Sequence, residues 1–269
     1  FRRLIHVRRS AVELQLMFTF PFTMMSSADG AYVPAGAVWL DGTNDYFTRT
    51  FGSGGNVDKW TYSVWLKYND PNGDALRVWS INGGSTNAFA DFRDSTTIIN
   101  WYAVEVSGAW KSLRTTGYYG RDPSAWQNLV LVYDTGNSTE GDRLRIYQNG
   151  TRITAFGTAN YPAQNQDGQI NGAILHRLFT DNSSNYRFKG YVADVVFLDN
   201  VATTDCSEFG EIDDDTGIWV PKNPSDISSF GTTGFWLDFS NGSDIGNDAS
   251  GNNNDFTPSS MDADNIVVD

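Results

Sequence analysis

The sequence predicts an all-β fold in which two antiparallel sheets pack face to face. Three observations predict it: a series of short aromatic-rich segments of alternating polarity, turn formers between them, and the overall composition. Of the 269 residues 40% are hydrophobic, with nine Trp, twelve Tyr and seventeen Phe, so a sizeable core is available. Gly is abundant at 26, and few stretches run long without a turn former, which favours a sandwich over a helical fold. A chain of this length can be one large sandwich with extensions or two smaller domains. No repeat of solenoid period is present.

Residues 1–16 (FRRLIHVRRSAVELQL) hold four Arg against Glu13, a local charge of +3 in a chain of −13. MFTFPFTMMSSADG (17–30) follows. A cleaved leader would show a similar outline, but Glu13, Gln15 and Pro21 interrupt that pattern. Residues 1–37 are therefore expected to form an N-terminal arm that contacts its own domain or a neighbouring subunit, with Met17 an alternative start.

The period-two signal begins at VWLDGTNDYF (38–47). In KWTYSVWLKYN (59–69), Trp60, Tyr62, Val64, Leu66 and Tyr68 share one face, and Thr61, Ser63 and Lys67 the other. Trp65 breaks the polar face. ALRVWSING (75–83) is the next strand, and WQNLVLVYD (126–134) carries a continuous apolar run. Such a run fits a central strand covered on both faces. In DRLRIYQNGTRIT (142–154), Leu144 and Ile146 alternate with Arg143 and Arg145 before the hairpin turn Asn149-Gly150. YRFKGYVADVVFLDN (186–200) is again apolar, interrupted by Asp194.

Residues 83–96, 107–125, 157–172 and 180–186 read as long polar loops. Residues 201–211 suit a short helix with Thr203 or Thr204 as N-cap. The stretch 212–233 is loop-like, 234–240 (GFWLDFS) is a strand, and 247–257 is a turn into a terminal strand or tail. The domain thus spans 38–200, with a C-terminal extension over 201–269 packing back on it.

The charge of −13 and pI near 4.4 exclude general affinity for nucleic-acid phosphates. Cys206 stands alone, so no intrachain disulfide forms. No segment reads as a membrane span. The sequons at Asn137, Asn149, Asn182 and Asn241 read as turn residues. His6 and His176 are the histidines, and neither accompanies a nucleophile motif.

Two chemistries have candidate residues. Aromatic rings stack on the apolar faces of sugars while amides and guanidinium groups bond hydroxyls, and Trp101, Tyr102, Trp110, Tyr118, Tyr119 and Tyr186 are aromatics beside polar groups in the expected loops. Calcium requires several oxygen ligands. Asp41, Asn44 and Asp45 form one cluster and Asp248, Asn252 and Asp255 another, converging if the first and last strands pair. The competing reading is Asx turn capping.

The phrases DGTNDYFTRT, KWTYSVWLK, WQNLVLVYD, LRIYQNGTRIT and FKGYVADVVFLDN, in this order, resemble the laminin-G-like domains of the concanavalin A-like superfamily. The resemblance implies a two-sheet antiparallel jelly-roll sandwich and glycan binding without catalysis. FGEIDDDTGIWVPKNPS, GFWLDFSNGSDIGNDASGNNNDFT, DNIVVD and the early MFTFPF are similar to segments of virion appendage proteins of marine tailed bacteriophages. That similarity implies a fibre or decoration protein on the virion surface, homo-oligomeric, touching other virion proteins and host-surface polysaccharide. A purely architectural virion role is its alternative.

The superfamily also holds laminarinase-type glycoside hydrolases with Glu-Ile-Asp motifs on one strand, carboxylates about 5 Å apart. Glu211, Asp213 and Asp215 have the spacing, which offers a hydrolase alternative through Glu211 and Asp215. The Phe-Gly and Thr-Gly flanks read instead as turns around a solvated acidic stretch.

Overall fold

The computed structural model describes residues 32–68, 76–82, 87–93, 98–117, 122, 125–181 and 186–267. Residues 1–31 of the N-terminal arm expected over 1–37 lie outside them. Strands are numbered along the chain. The first sheet runs β10 (Thr151–Arg152), β9 (Leu144–Gln148), β8 (Gln127–Asp134), β3 (Lys59–Tyr68), β13 (Lys189–Asp199), β1 (Ala37–Asp41), β18 (Ile266–Val267). β16 (Phe235–Leu237) pairs with the second half of β13. The second sheet runs β11 (Phe156–Asn160), β7 (Ala109–Thr115), β6 (Ile98–Val106), β5 (Asn87–Arg93), β4 (Leu76–Asn82), β12 (Leu175–Leu178), β2 (Tyr46–Thr50), β17 (Thr257–Ser259). A separate hairpin joins β14 (Gly210–Ile212) to β15 (Trp219–Pro221). The fold is the expected all-β, two-sheet antiparallel sandwich.

Alternation in β3 sends Trp60, Tyr62, Val64, Leu66 and Tyr68 into the interior between the sheets. There Trp60 stacks on Tyr133 at 5.5 Å and meets Trp79 and Trp101 at 5.9 and 5.8 Å. Aromatic pairs of this kind add about 1 kcal/mol each beyond the area they bury.

The outward face of β3 is covered as well, which explains the anomalous Trp65. Its indole Nε1 donates to the Phe209 carbonyl at 3.3 Å, and Thr61 Oγ1 donates to the Val201 carbonyl at 2.8 Å. Val130, Val132, Val196 and Leu198 likewise pack outward against Cys206, Phe209, Phe230 and Trp236. The continuous apolar runs of β8 and β13 therefore mark strands buried on both sides.

Turn chemistry sets one further contact. Asn149 and Gly150 take positive φ (47° and 71°), as a two-residue hairpin requires. A Cβ on Gly150 would stand 2.5 Å from the Trp219 ring, so this turn needs glycine for packing as well as for conformation.

Several sequence expectations need correction. The 83–96 and 107–125 stretches contain β5 and β7, and 157–172 opens with the end of β11. The short helix at 201–211 does not form: Cys206 takes φ 62°, and Phe209 N–H bonds back to its carbonyl at 3.0 Å. Left-handed backbone at a fully buried Cys206 turns the chain onto the sheet and ends helical propagation.

Candidate functional site

The outward face of the second sheet is built by register. Across β12, β4, β5, β6 and β7, Arg177, Ser80, Phe89, Tyr102 and Ser112 lie side by side. The adjacent row is Arg77, Asp91, Asn100 and Arg114, continued by Thr158 of β11. Their strand neighbours Ala88, Ala90, Ile99, Trp101 and Leu113 fill the core, so the two rows face away from it.

Three aromatic rings meet on this face. Phe89 and Tyr102 lie 4.6 Å apart, and Trp110 contacts both edge-on, at 5.8 and 5.3 Å. Trp110 is delivered by the tight turn Ser107-Gly108, both residues at positive φ. All three rings are half-buried.

A charged network supports them. The Arg77 guanidinium lies 3.8 Å above the Phe89 ring centroid and 5.3 Å from that of Tyr186. Its Nη1 pairs with Asp91 Oδ2 at 2.9 Å, the two side chains being 4% and 0% exposed. Asn100 Nδ2 donates to Asp91 Oδ1 at 3.2 Å. A buried pair this well bonded holds the ring above it in place, while cation–π attraction draws Phe89 onto the charge. Ser80 Oγ fixes the neighbouring segment by donating to the Thr180 carbonyl at 2.7 Å. The result is a firm aromatic platform with polar groups at its margin, suited to a ligand with one apolar face and many hydroxyls.

Of the expected glycan contacts, Tyr102, Trp110 and Tyr186 come together here, on or beside strands and not in long loops. Trp101 does not join them. It is 0% exposed and packs edge-on against Trp60, because adjacent residues of a strand point to opposite faces. Tyr118 and Tyr119 lie outside the described residues. Sequence reading missed Phe89, Arg77, Asp91 and Asn100. The alternation of small and large residues in NAFADFR was the available signal, masked by the Gly, Ser and Thr that surround it.

In this structure the polar groups of the two acidic clusters are engaged by protein donors. Asp41 accepts from Thr43 N–H and Oγ1, and Asp45 Oδ2 from Asp41 N–H at 2.9 Å. Thr43 and its neighbours hold the Asp41 carboxyl below the ordinary range despite the opposing effect of burial. Asn44 Oδ1 accepts from Arg187 at 3.2 Å. Asp248 receives Trp236 N–H, Asn254 N–H and both donors of Ser250, and Asp255 receives Asp248 N–H. Asn252 spends its amide on the Gly231 and Gly234 carbonyls. These bonds cap the local turns. β1 does pair with β18, yet the clusters do not converge, since β17 pairing places Ser259 beside Tyr46 and the Asp255 carbonyl beside Arg49. Among the described residues no three His, Cys, Asp or Glu form a metal-binding group.

The Glu211 motif does not hold its carboxylates on one strand, so the geometry of the hydrolase alternative is not formed. β14 ends at Ile212, and Asp213 caps the following turn by accepting from Thr216 N–H at 2.7 Å. Asp215 lies in that turn, not on a strand face with Glu211, and both are exposed. His176 sits fully buried in β12, accepting from Asn171 N–H at 3.0 Å through Nε2, with Nδ1 2.9 Å from the Ile174 carbonyl. Burial lowers its pKa to about 4, which fixes a neutral, structural imidazole. Among the described residues no helix is long and apolar enough to cross a membrane.

Residues 41–205 match the Laminin_G_3 family model, described as concanavalin A-like lectin/glucanases superfamily. No curated protein sequence matches the chain. Similar solved structures include a heptameric SAP-like pentraxin from Limulus polyphemus, 12% identical, with TM-score 0.45 over 65% of this chain and 80% of that one. Domains LG4-5 of the mouse laminin alpha1 chain are 8% identical, with TM-score 0.45 over 66% of this chain and 46% of theirs. Domain 4 of an extracellular arabinanase from Geobacillus stearothermophilus, in complex with arabinotriose, is 16% identical, with TM-score 0.44 over 66% and 76%. With its central 165 residues matched by that family model and its two sheets stacked as described, the chain belongs to the concanavalin A-like lectin/glucanases superfamily.

Proposed function

We propose that this protein is a non-catalytic, glycan-binding virion protein of a tailed phage, a fibre or decoration subunit that presents the outward face of its second sheet to host-surface polysaccharide. The observation that carries the glycan reading is the half-exposed triangle of Phe89, Tyr102 and Trp110 seated on the buried Arg77–Asp91 pair. Such a platform matches the C–H face of a pyranose ring, and the surrounding Asn, Ser and Arg groups match its hydroxyls. Support for the virion setting comes from the likeness of residues 209–225 and 234–257 to phage appendage segments. Contacts to single sugars are weak, so repeated copies on a particle would supply avidity, and residues 1–37 are proposed as the arm that joins copies or neighbours.

The test is retention of the purified chain on a panel of immobilised polysaccharides, beside the double variant Tyr102→Ala/Trp110→Ala. The wild type is expected to be retained and the double variant to elute freely while still unfolding cooperatively, its thermal midpoint lowered by several degrees for a loss of about 2 kcal/mol. Equal retention of both proteins would remove the site, and mass spectrometry of purified particles that lacks this chain would remove the virion role.

A further inference from the structure

The cations on the proposed glycan face are not equivalent. Arg77 is answered by Asp91. Arg177 and Arg114 are not: among the described residues neither side chain makes a hydrogen bond or an ion pair, and the Nη1 of Arg177 is buried without an acceptor. A buried guanidinium nitrogen that donates to nothing is costly. The Nε atoms of Arg49, Arg77, Arg145 and Arg187 are also without an acceptor, but each of those side chains bonds through another guanidinium nitrogen, and Arg177 does not. Arg177 stands at one end of the aromatic row, beside Ser80 and Thr48, and Arg114 at the other side, between Asn100 and Thr158. Four strand spacings separate β12 from β7, a distance of about 19 Å. Phe89 and Tyr102 lie between them.

The charge around this face also runs against that of the chain. The molecule carries −13, yet of the acids in these outward rows Asp91 is paired with Arg77. Glu105 sits opposite Trp110, toward the tip of the β6–β7 hairpin. A polyanion repelled by the body of the protein would meet local attraction here, so net charge opposes non-specific docking and the face supplies selectivity.

We infer that the ligand of this face is an acidic polysaccharide, carboxylated or sulfated, lying across strands β12 to β7. This rests on the glycan reading above and adds the ligand's chemical class. Ring faces stack on Phe89 and Tyr102, while anionic groups on two non-adjacent sugars reach Arg177 and Arg114. Guanidinium groups bind both kinds of oxyanion through paired N–H donors.

Matched polymer pairs separate charge from sugar: dextran against dextran sulfate, and methyl-esterified polygalacturonate against the free acid. Affinity of the full chain is measured for each by biolayer interferometry at about 50 and 200 mM salt. Binding to at least one charged polymer should exceed that to its neutral partner by about tenfold and weaken with salt. The pair that responds tells sulfate from carboxylate. Arg177→Gln and Arg114→Gln should each lower charged-polymer affinity about tenfold. Arg152→Gln, on the opposite sheet, should change nothing and controls for net charge. Tyr102→Ala should weaken every polymer. Equal affinity for charged and neutral partners, or unaltered binding by both arginine variants, overturns the acidic-ligand inference while leaving glycan binding intact. Failure of all polymers to bind overturns both.

Discussion

Indole Nε1 of Trp236 donates a 2.8 Å hydrogen bond to Oδ1 of Asp194, where β13 exchanges one neighbour for another. Up to Val192 that edge of β13 pairs with β1, and from Val195 it pairs with β16. Asp194 occupies the bulge between, at φ 41°, and also accepts from the Tyr32 hydroxyl at 3.1 Å. One carboxylate thus ties the start of the described chain and the C-terminal extension to the centre of the first sheet.

Burial raises the Asp194 pKa to about 7, and the nearby Asp238 adds to it, against the lowering effect of the Trp236 and Tyr32 bonds. A folded-state value above the unfolded one means that this group favours the fold most below pH 3.8 and loses that contribution as pH rises through 7. Asp194→Asn keeps the acceptor oxygen and tolerates the left-handed backbone. The variant should therefore unfold at higher urea than wild type at pH 8, with the advantage gone at pH 4. A variant less stable at both values would show that the carboxylate is fully satisfied when ionised.

His176 contributes the opposite slope. Its pKa falls from 6.5 to about 4 because burial opposes the imidazolium, with Arg49 adding to that effect and the Ile174 carbonyl resisting it. The unfolded chain takes up a proton at pH 6.5 that the folded chain refuses, so stability is full above 6.5 and declines as pH falls toward 4. The loss amounts to about 3 kcal/mol in total. Urea midpoints measured between pH 7 and 4 should trace this limb, and His176→Gln should flatten it whatever its own cost. An unchanged slope in the variant would assign acid sensitivity elsewhere.

How much of this was legible depends on how local each signal is. β3, β8 and the Asn149-Gly150 hairpin announce themselves within ten residues, through alternation or a two-residue turn. Trp65 and the LVLVY run even show which sheet is covered twice. β5 and β7 were hidden because their flanks are rich in Gly, Ser and Thr, and strands whose outward residues include Asp91 in β5 and Ser112 and Arg114 in β7 resemble polar loops. The Arg77–Asp91 pair depends on cross-strand register, which no short window contains. The acidic clusters read two ways in sequence for a physical reason: the same carboxylates that ligate calcium also cap turns, and both uses draw on one residue pattern.

Strand phase makes a sharp contrast between two adjacent aromatics. Trp101 is fully enclosed among Trp60 and its neighbours, so Trp101→Ala should cost about 3–5 kcal/mol by leaving a cavity. Tyr102 is half-buried on the outward face, and Tyr102→Ala should cost about 1 kcal/mol while reducing polysaccharide affinity about tenfold. Denaturation curves and binding isotherms on the two variants decide it. Strong destabilisation by the second, or loss of binding by the first without unfolding, would reverse the assigned faces.

The Arg77–Asp91 pair allows stability and recognition to be separated. Arg77→Met leaves the Asp91 carboxylate buried without its countercharge, with Asn100 still donating to it, and should cost about 3–5 kcal/mol. Removing both charges, as Arg77→Met/Asp91→Leu, should restore most of that loss, because two apolar side chains escape the desolvation penalty of a buried carboxylate that has lost its countercharge. Yet the double variant also removes the cation 3.8 Å above the Phe89 ring, and with it the attraction that orients the ring toward Tyr102. It should therefore fold nearly as well as wild type and bind polysaccharide more weakly. Full binding by a stable double variant would mean that the aromatic triangle positions itself, and that the buried charges serve the fold alone.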